Sequence, residues 1–272
     1  LALLDAAYAA PRAQVVGVTG PPGVGKSTLI GALIAGWRSE GRTVGVIAVD
    51  PSSRASGGAL LGDRTRLRTD PGDTGIFVRS MAARDRLGGL AALTVSAMVL
   101  MRALFDIVLI ETVGVGQSET EIAGAADTVV LCVQPGSGDS LQFMKAGIVE
   151  IPHVVVITKS DLGAAAERAR ADALAVLGLA GHAGAGWEVP VLLLSALRRD
   201  GIDDLAAAVA RHWHWLAEGL AAARQAQARH WLIEGLRETF GREGLRRTGE
   251  PALAAGESPF RVLARLGAGL RG

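Results

Sequence analysis

The stretch Gly-Pro-Pro-Gly-Val-Gly-Lys-Ser-Thr at 20–28 constrains this chain most. It follows the apolar run QVVGVTG (14–20) and leads into a helical pattern over 26–40. It matches G-x-x-x-x-G-K-[ST], and its setting between a strand and a helix is the one in which that pattern holds a phosphate. Glycines let backbone N–H groups turn inward as an anion nest, and the helix N-terminus adds a positive dipole. Gly20, Pro22, Gly23, Val24, Gly25 and Thr28 form the cradle, Lys26 reaches the β- and γ-phosphates, and the Ser27 hydroxyl is placed for Mg²⁺.

Around this loop, short β-branched runs alternate with longer helical stretches. Strands are expected at 14–20, 43–50, 105–112, 127–135, 153–161 and 189–196, with a shorter one at 74–80. Helices are expected at 26–40, 86–103, 138–150, 164–177 and 201–216. The strand runs are almost continuously apolar, as in strands covered on both faces. The expectation is an α/β fold of three layers, helices on both faces of a mainly parallel sheet, with ligands at the carboxyl ends of its strands. After 216 the strand pattern stops. One long helix is expected there, with Leu232 or Ile233, Leu236 and Phe240 at helical spacing, followed by a loop at 249–259 and a short final helix. The long helix is expected either to pack on the domain or to project and pair with a second subunit. The division is therefore a short helical segment at 1–13, a phosphate-loop domain at 14–216 and a helical region at 217–272.

Composition narrows the class. Hydrophobic residues make up 49% and charged residues 20%, which argues against overall disorder. A net charge of +1 gives no polyelectrolyte signal for nucleic acid or a membrane surface. No run reaches the ~20 apolar residues of a membrane span. The single cysteine, Cys132 in TVVLCV, is expected to be a core side chain in a reducing cytoplasm. The chain opens on Leu with no secretory pattern, and residues upstream of it are expected.

Carboxylates at strand ends suggest the metal site. Glu111 ends IVLIE, Asp50 ends VIAVD, and Asp63 lies in the glycine-punctuated stretch GGALLGDRTRL. Asp63 is either a helix N-cap or a mobile metal or water ligand. Asp106 starts the Glu111 strand and reads as a turn residue at the wrong edge. Downstream, ETVGVGQSE has the spacing of a D-x-x-G switch with Glu in place of Asp, so Gly114 would offer its N–H to the γ-phosphate. Val115 stands where small GTPases carry their hydrolytic Gln, and the nearest glutamine is Gln117. Slow intrinsic hydrolysis is the expectation.

The base is addressed by TKSD at 158–161. In the [NT]-K-x-D pattern, the Asp161 carboxylate accepts from guanine N1–H and its 2-amino group. Adenine would leave that carboxylate unpaired. The Lys159 stem packs over the ring, Thr158 opens the motif, and Ser195-Ala196-Leu197 follows another strand, with the Ala196 N–H facing guanine O6. Asp161 as the N-cap of the next helix is the bland alternative.

Together, GPPGVGKSTL, AVDPSS, GGALLGDRTRL, ETVGVGQSE, QPGSGDSLQ, KAGIVEI and TKSD resemble the MeaB/ArgK-type GTPases from about residue 12 to the C-terminus. The resemblance implies a phosphate-loop NTPase fold with a C-terminal helical dimerisation arm, in which RQAQARHWL matches the dimerisation helix. It implies GTP and GDP with Mg²⁺ as ligands, a homodimer, and an adenosylcobalamin-dependent acyl-CoA mutase as partner, with an adenosyltransferase as a further one. By motif, it makes Lys26, Asp63, Glu111 and Gly114 catalytic, and Ser27, Asp50, Asp63 and Glu111 the metal site. GSGDSLQFMKAG (136–147) matches the third switch of the family. There, with Gln117, the residues Asp139, Gln142 and Lys145 would relay nucleotide state to the mutase. The sequence departs at Thr158, where Asn is usual. It also carries Ser140, Phe143 and Ala146 where Glu, Gly and a second Lys are common, so a related mutase, such as one for 2-hydroxyisobutyryl-CoA, is a candidate partner.

Two other classes compete. A metallochaperone GTPase for metalloenzyme maturation would carry Cys/His metal sites, whereas His212 and His214 stand on different faces of an amphipathic helix end. An ATP-dependent kinase or transport ATPase would need adenine selectivity, against which TKSD argues.

Overall fold

The computed structural model describes residues 1–51, 69–70, 72–83, 92–112, 118–136, 151–179, 186–249 and 251–271, without the side chains of 50, 51, 82, 83, 118–120 and 271. The expected helix at 138–150 lies outside the described residues.

A short helix, α1 (Ala2–Ala9), precedes β1 (Gln14–Thr19), α2 (Lys26–Ser39), β2 (Val44–Pro51) and β3 (Ile76–Ala83). Then come α3 (Ala92–Leu104), β4 (Ile107–Glu111), α4 (Ser118–Ala123), β5 (Thr128–Val133) and β6 (Val154–Ile157). A 3₁₀ turn at Ser160–Leu162, α5 (Ala164–Leu179), β7 (Val191–Leu193), α6 (Ile202–Leu216), α7 (Leu220–Thr248) and α8 (Pro259–Arg271) complete the order. The seven strands form one parallel sheet in the order β3-β2-β4-β1-β5-β6-β7. All seven expected strands are present.

Alternate residues along each strand feed opposite layers, which is why the runs look uniformly apolar. Val16, Val18, Val130 and Cys132 pack with α2 and α6 on one face. Val15, Ile110 and Val129 pack with α3 and Ile122 on the other, and Leu131, Val155 and Ile157 continue that face against α5. Burial pushes the Cys132 thiol up to about 12, so it is a core side chain with no thiolate chemistry.

The chain runs outward from β1 to β2 and β3, returns to β4, and crosses β1 to reach β5. The order therefore reverses beside β1, and the loop leaving β1 sits at the switch point where parallel sheets open their crevice.

The helical pattern after 216 resolves into two packed helices. Leu232 and Leu236 of α7 are buried against Val262 of α8, with Phe240, Leu253 and Leu263 alongside. The expected single long helix is broken at Gly241, where φ of 66° and ψ of −166° take the chain out of helical geometry. Among the described residues, no helix is long and apolar enough to cross a membrane.

Candidate functional site

Gly20 follows β1 with φ of +138°, and a Cβ there would stand 2.2 Å from the Cys132 carbonyl oxygen. Only glycine lets the phosphate loop pass this close to β5. Val24 is the loop's anchor, wholly buried in the core under α2, while Pro22 and Gly23 are exposed above it. Gly25 caps α2 in the left-handed region (φ 103°), and the Leu29 N–H bonds back to its carbonyl at 3.0 Å. Lys26, the first residue of α2, is almost buried and folds back on its own loop. Its Nζ donates to Gly20 O at 2.7 Å and Pro21 O at 3.0 Å. An ammonium held over the nest is placed to exchange these carbonyls for phosphate oxygens. Thr28 follows in the same exposed first turn.

Glu111 reaches the same place from β4. The register pairs Val18 with Glu111 on one side and Ala48 with Glu111 on the other, so this carboxylate ends the strand lying between β1 and β2. It is almost buried, and its Oε1 accepts from the Ser27 hydroxyl at 2.8 Å. A nearly dry carboxylate touching a hydroxyl at the foot of a phosphate nest is an all-oxygen donor pair of the kind Mg²⁺ takes. Asp50 lies two residues beyond Ala48 on β2, at the same sheet edge. Thr112 follows Glu111, and its hydroxyl bonds that of Thr19 at 2.9 Å, tying β4 to β1 directly below the loop. Asp106 stands at the opposite edge. The Thr43 N–H and hydroxyl, helped by Arg12, hold its carboxyl down at about 2, in keeping with a turn residue.

The residues expected to read the base gather at the ends of β6 and β7. Thr158 donates its N–H (2.8 Å) and its hydroxyl (3.1 Å) to Val133 O, locking the end of β6 to the end of β5. Lys159 then takes a left-handed conformation (φ 54°) that few non-glycine residues adopt. Its ammonium donates to Gly23 O of the phosphate loop at 3.2 Å and to Gln134 Oε1 at 2.7 Å. Asp161 does not begin the next helix; it sits in the 3₁₀ turn, and α5 starts at Ala164. Its Oδ1 accepts from the buried Ser195 hydroxyl at 2.6 Å, the chief reason its carboxyl is held below the usual range. Ser195 and Asp200 exchange two backbone hydrogen bonds of 3.0 and 3.1 Å, pinching the turn that carries Ala196 and the exposed Leu197.

The structure thus gathers Lys26, Ser27 and Glu111 at the phosphate end, and Lys159, Asp161 and Ser195 at the base end, with the Lys159–Gly23 bond joining the two. Asp63, Gly114, Gln117, Asp139, Gln142 and Lys145, with the departures at Ser140, Phe143 and Ala146, lie outside the described residues. Sequence reasoning passed over Gln134. Only the strand order finds it: Gln134 follows the strand lying between those that carry Gly20 and Lys159.

His212, one of the histidines weighed as metal ligands, is part of a core cluster at the other edge. Its Nδ1 lies 2.9 Å from the Thr128 hydroxyl, and its ring packs 4.1 Å from that of His153 and 4.8 Å from that of Trp187. Burial, with a smaller push from His153, lowers it to about 3, so it is neutral. Among the described residues, no group of three or more His, Cys, Asp and Glu could hold a metal ion.

Comparison with known proteins agrees with this geometry. Residues 2–243 match the family described as methylmalonyl Co-A mutase-associated GTPase MeaB. A Pyrococcus abyssi protein provisionally named a GTPase is 46% identical over 207 residues, which cover 75% of this chain and 64% of that protein. The mouse methylmalonic aciduria type A homolog, a mitochondrial protein, is 42% identical over 217 residues, 78% of this chain and 52% of that protein. Among solved structures, an LAO/AO transport system kinase superposes with a TM-score of 0.69 at 28% identity, covering 100% of this chain and 86% of its own. The chain thus spans between about half and two thirds of these two curated relatives. With its phosphate loop and guanine-type motif in place on the matching fold, the chain belongs to the MeaB family of GTPases.

Proposed function

We propose that this chain binds and hydrolyses GTP as a chaperone that gates adenosylcobalamin loading and protection of a cobalamin-dependent acyl-CoA mutase, methylmalonyl-CoA mutase or a related enzyme. The observation that carries the reading is the juxtaposition of two specific devices at one sheet edge. Lys26 with Ser27 meets the phosphates, and a serine-held Asp161 meets the base, in a chain whose family is described by its mutase association. Lys26 holds the β- and γ-phosphates, and Asp161, oriented by Ser195, accepts from the guanine N1–H and 2-amino group.

Mg²⁺ fits the oxygen set of Ser27 and Glu111, with Asp50 and Asp63 the further acidic candidates, and when bound it neutralises charge on the phosphate oxygens. Gly114 is proposed as the N–H donor to the γ-phosphate. Gln117, Asp139, Gln142 and Lys145 are proposed as the relay to the mutase. A homodimer through 217–272 and a cytoplasmic setting belong to the same reading, as does an adenosyltransferase as further partner.

Calorimetry with GTP and ATP tests the ligand. Micromolar or tighter GTP with no measurable ATP binding is expected, and the reverse result returns the chain to the ATP-dependent kinase class. GTP turnover measured with and without each candidate cobalamin mutase tests the purpose. A large stimulation by one of them is expected, and stimulation by none overturns the mutase assignment.

A further inference from the structure

We propose that Gln134 is a positioning residue for Lys159. It fixes the lysine across the phosphate loop so that the aliphatic stem forms a preset floor for the purine ring. The inference rests on the GTP-binding reading above and adds to it a residue that neither the motif nor the family description assigns.

Lys159 is exposed and carries a long, rotamer-rich side chain, which would ordinarily move freely in water. Here two acceptors hold it. Gly23 O is 3.2 Å from Nζ and belongs to the phosphate loop, while Gln134 Oε1 is 2.7 Å away and belongs to the chain just beyond β5. Lysine only donates, so the side-chain oxygen of Gln134, and not its amide nitrogen, must face the ammonium. Of the two bonds, the one to Gln134 is the shorter.

The base of Gln134 is itself fixed. It follows Val133, the last residue of β5, whose carbonyl accepts both the N–H and the hydroxyl of Thr158. Thr158 precedes Lys159, so Gln134 and Lys159 leave two cross-bonded strand ends side by side. The left-handed backbone of Lys159 (φ 54°) turns its side chain back over this junction toward Gly23. Such a conformation costs energy and persists where the surroundings over-determine it. A side chain ordered before the ligand arrives makes ligand binding less costly in entropy.

This role has a signature that separates it from Asp161. The floor touches the face shared by every purine, whereas Asp161 reads the 2-amino group that guanine has and hypoxanthine lacks. Loss of Gln134 therefore weakens GTP, GDP and ITP by a common factor and leaves the ratio of GTP to ITP affinity unchanged.

The test is calorimetry of GTP, GDP and ITP on the full chain with Mg²⁺, for the wild type, Gln134→Ala, Gln134→Glu, Lys159→Ala and the double alanine variant. Gln134→Ala is expected to raise all three dissociation constants about three- to tenfold, the scale of one hydrogen bond to a charged group partly screened by water. Gln134→Glu keeps an acceptor at the same reach and is expected to restore affinity to within about twofold. In the Lys159→Ala background, the Gln134→Ala change should have little further effect, because the bond through which it acts on the base site is gone. A Gln134→Ala protein within twofold of wild type, an equal loss in both backgrounds, or a changed GTP to ITP ratio overturns the inference alone. A wild-type protein that bound no guanine nucleotide would overturn this inference and the functional reading with it.

Discussion

Arg224 is the residue whose removal tests most directly how the C-terminal helices are held. It reaches from α7 to Asp127, just before β5, and grips both carboxylate oxygens, Nε to Oδ1 at 2.9 Å and Nη2 to Oδ2 at 2.8 Å. The same Nη2 donates to Ala13 O at 2.8 Å, and Asp127 Oδ2 also accepts the Val15 N–H at 2.8 Å. Asp127 is 1% exposed and Arg224 12%, so this is a buried, forked pair. Arg224→Ala leaves the Asp127 carboxylate with one backbone N–H and the attraction of the buried Arg102, and breaking a buried pair costs roughly 3–5 kcal/mol. One term offsets part of this: Arg224 repels the buried Arg102, and that repulsion disappears. A net loss of about 3 kcal/mol follows, which for a chain of this size lowers Tm by roughly 6–12 °C. The assay is urea unfolding and calorimetry at neutral pH, beside the double variant Arg224→Met/Asp127→Asn. The double variant removes the carboxylate along with its partner, at the cost of the attraction Asp127 exerts on the buried Arg102, and should still lose less than Arg224→Ala alone. GTP affinity should stay within about twofold, because Asp127 precedes β5 at the edge opposite Lys26. A loss below about 1 kcal/mol in Arg224→Ala, or a double variant no better than the single, refutes the account.

Three further outcomes are expected. Lys26→Ala should abolish GTP hydrolysis, and with it any stimulation by the proposed mutase partner, with Tm little changed, measured by phosphate release and calorimetry; unchanged turnover refutes the assigned role. Asp161→Asn should exchange an acceptor for a donor, weakening GTP by more than about 100-fold while admitting XTP, whose 2-oxo group accepts; calorimetry with both nucleotides decides it. His212 gives a pH dependence. The folded protein keeps it neutral down to about 3, whereas the unfolded chain takes the proton near 6.5. Stability is therefore full above about pH 6.5 and falls as pH drops from there toward 3, by on the order of 3–5 kcal/mol. His212→Gln should flatten that part of the stability curve, and an unchanged slope would show that His212 does not titrate in this way.

The strand pattern was legible because a parallel sheet with both faces covered forces long apolar runs, and QVVGVT, VIAV and IVLI admit little else. Strand ends were less legible. The expected strand at 153–161 stops at Ile157 because Lys159 turns left-handed to cross the phosphate loop, a tertiary requirement with no local spelling. The expected strand at 189–196 contracts to Val191–Leu193, with Pro190 before it unable to donate to a ladder and Ser195 pulled into the turn with Asp200. Helix α4 was missed because six residues, Ser118–Ala123, are too few to show a period. The kink at Gly241 was visible only as a glycine, a residue that long helices also tolerate. For the site, the residues carrying fixed spacing, Lys26, Ser27 and Asp161, could be read directly. Gln134 could not, because its partner is 25 residues away and only the strand order brings the two together.

Thr158 stands at the same junction, and its hydroxyl donates to Val133 O. Thr158 therefore fastens β6 to β5 and leaves the link to the phosphate loop to the residue after it. Lys159 makes that link through Gly23 O, so one side chain spans the base end and the phosphate end of the site. Two consequences follow. The exposed ammonium of Lys159, just beyond β6, ties the phosphate loop to that strand's end, and its hold depends on how well its other acceptor is placed. That acceptor, Gln134, immediately precedes Pro135 and Gly136, where the segment resembling the family's third switch begins. The hydrogen bond between Lys159 and Gln134 therefore joins the site to the residues leading into that segment. If the proposed mutase partner holds, its coupling to nucleotide state should weaken in Gln134→Ala more than GTP turnover does, a split that mutase-stimulated and basal turnover rates would show side by side.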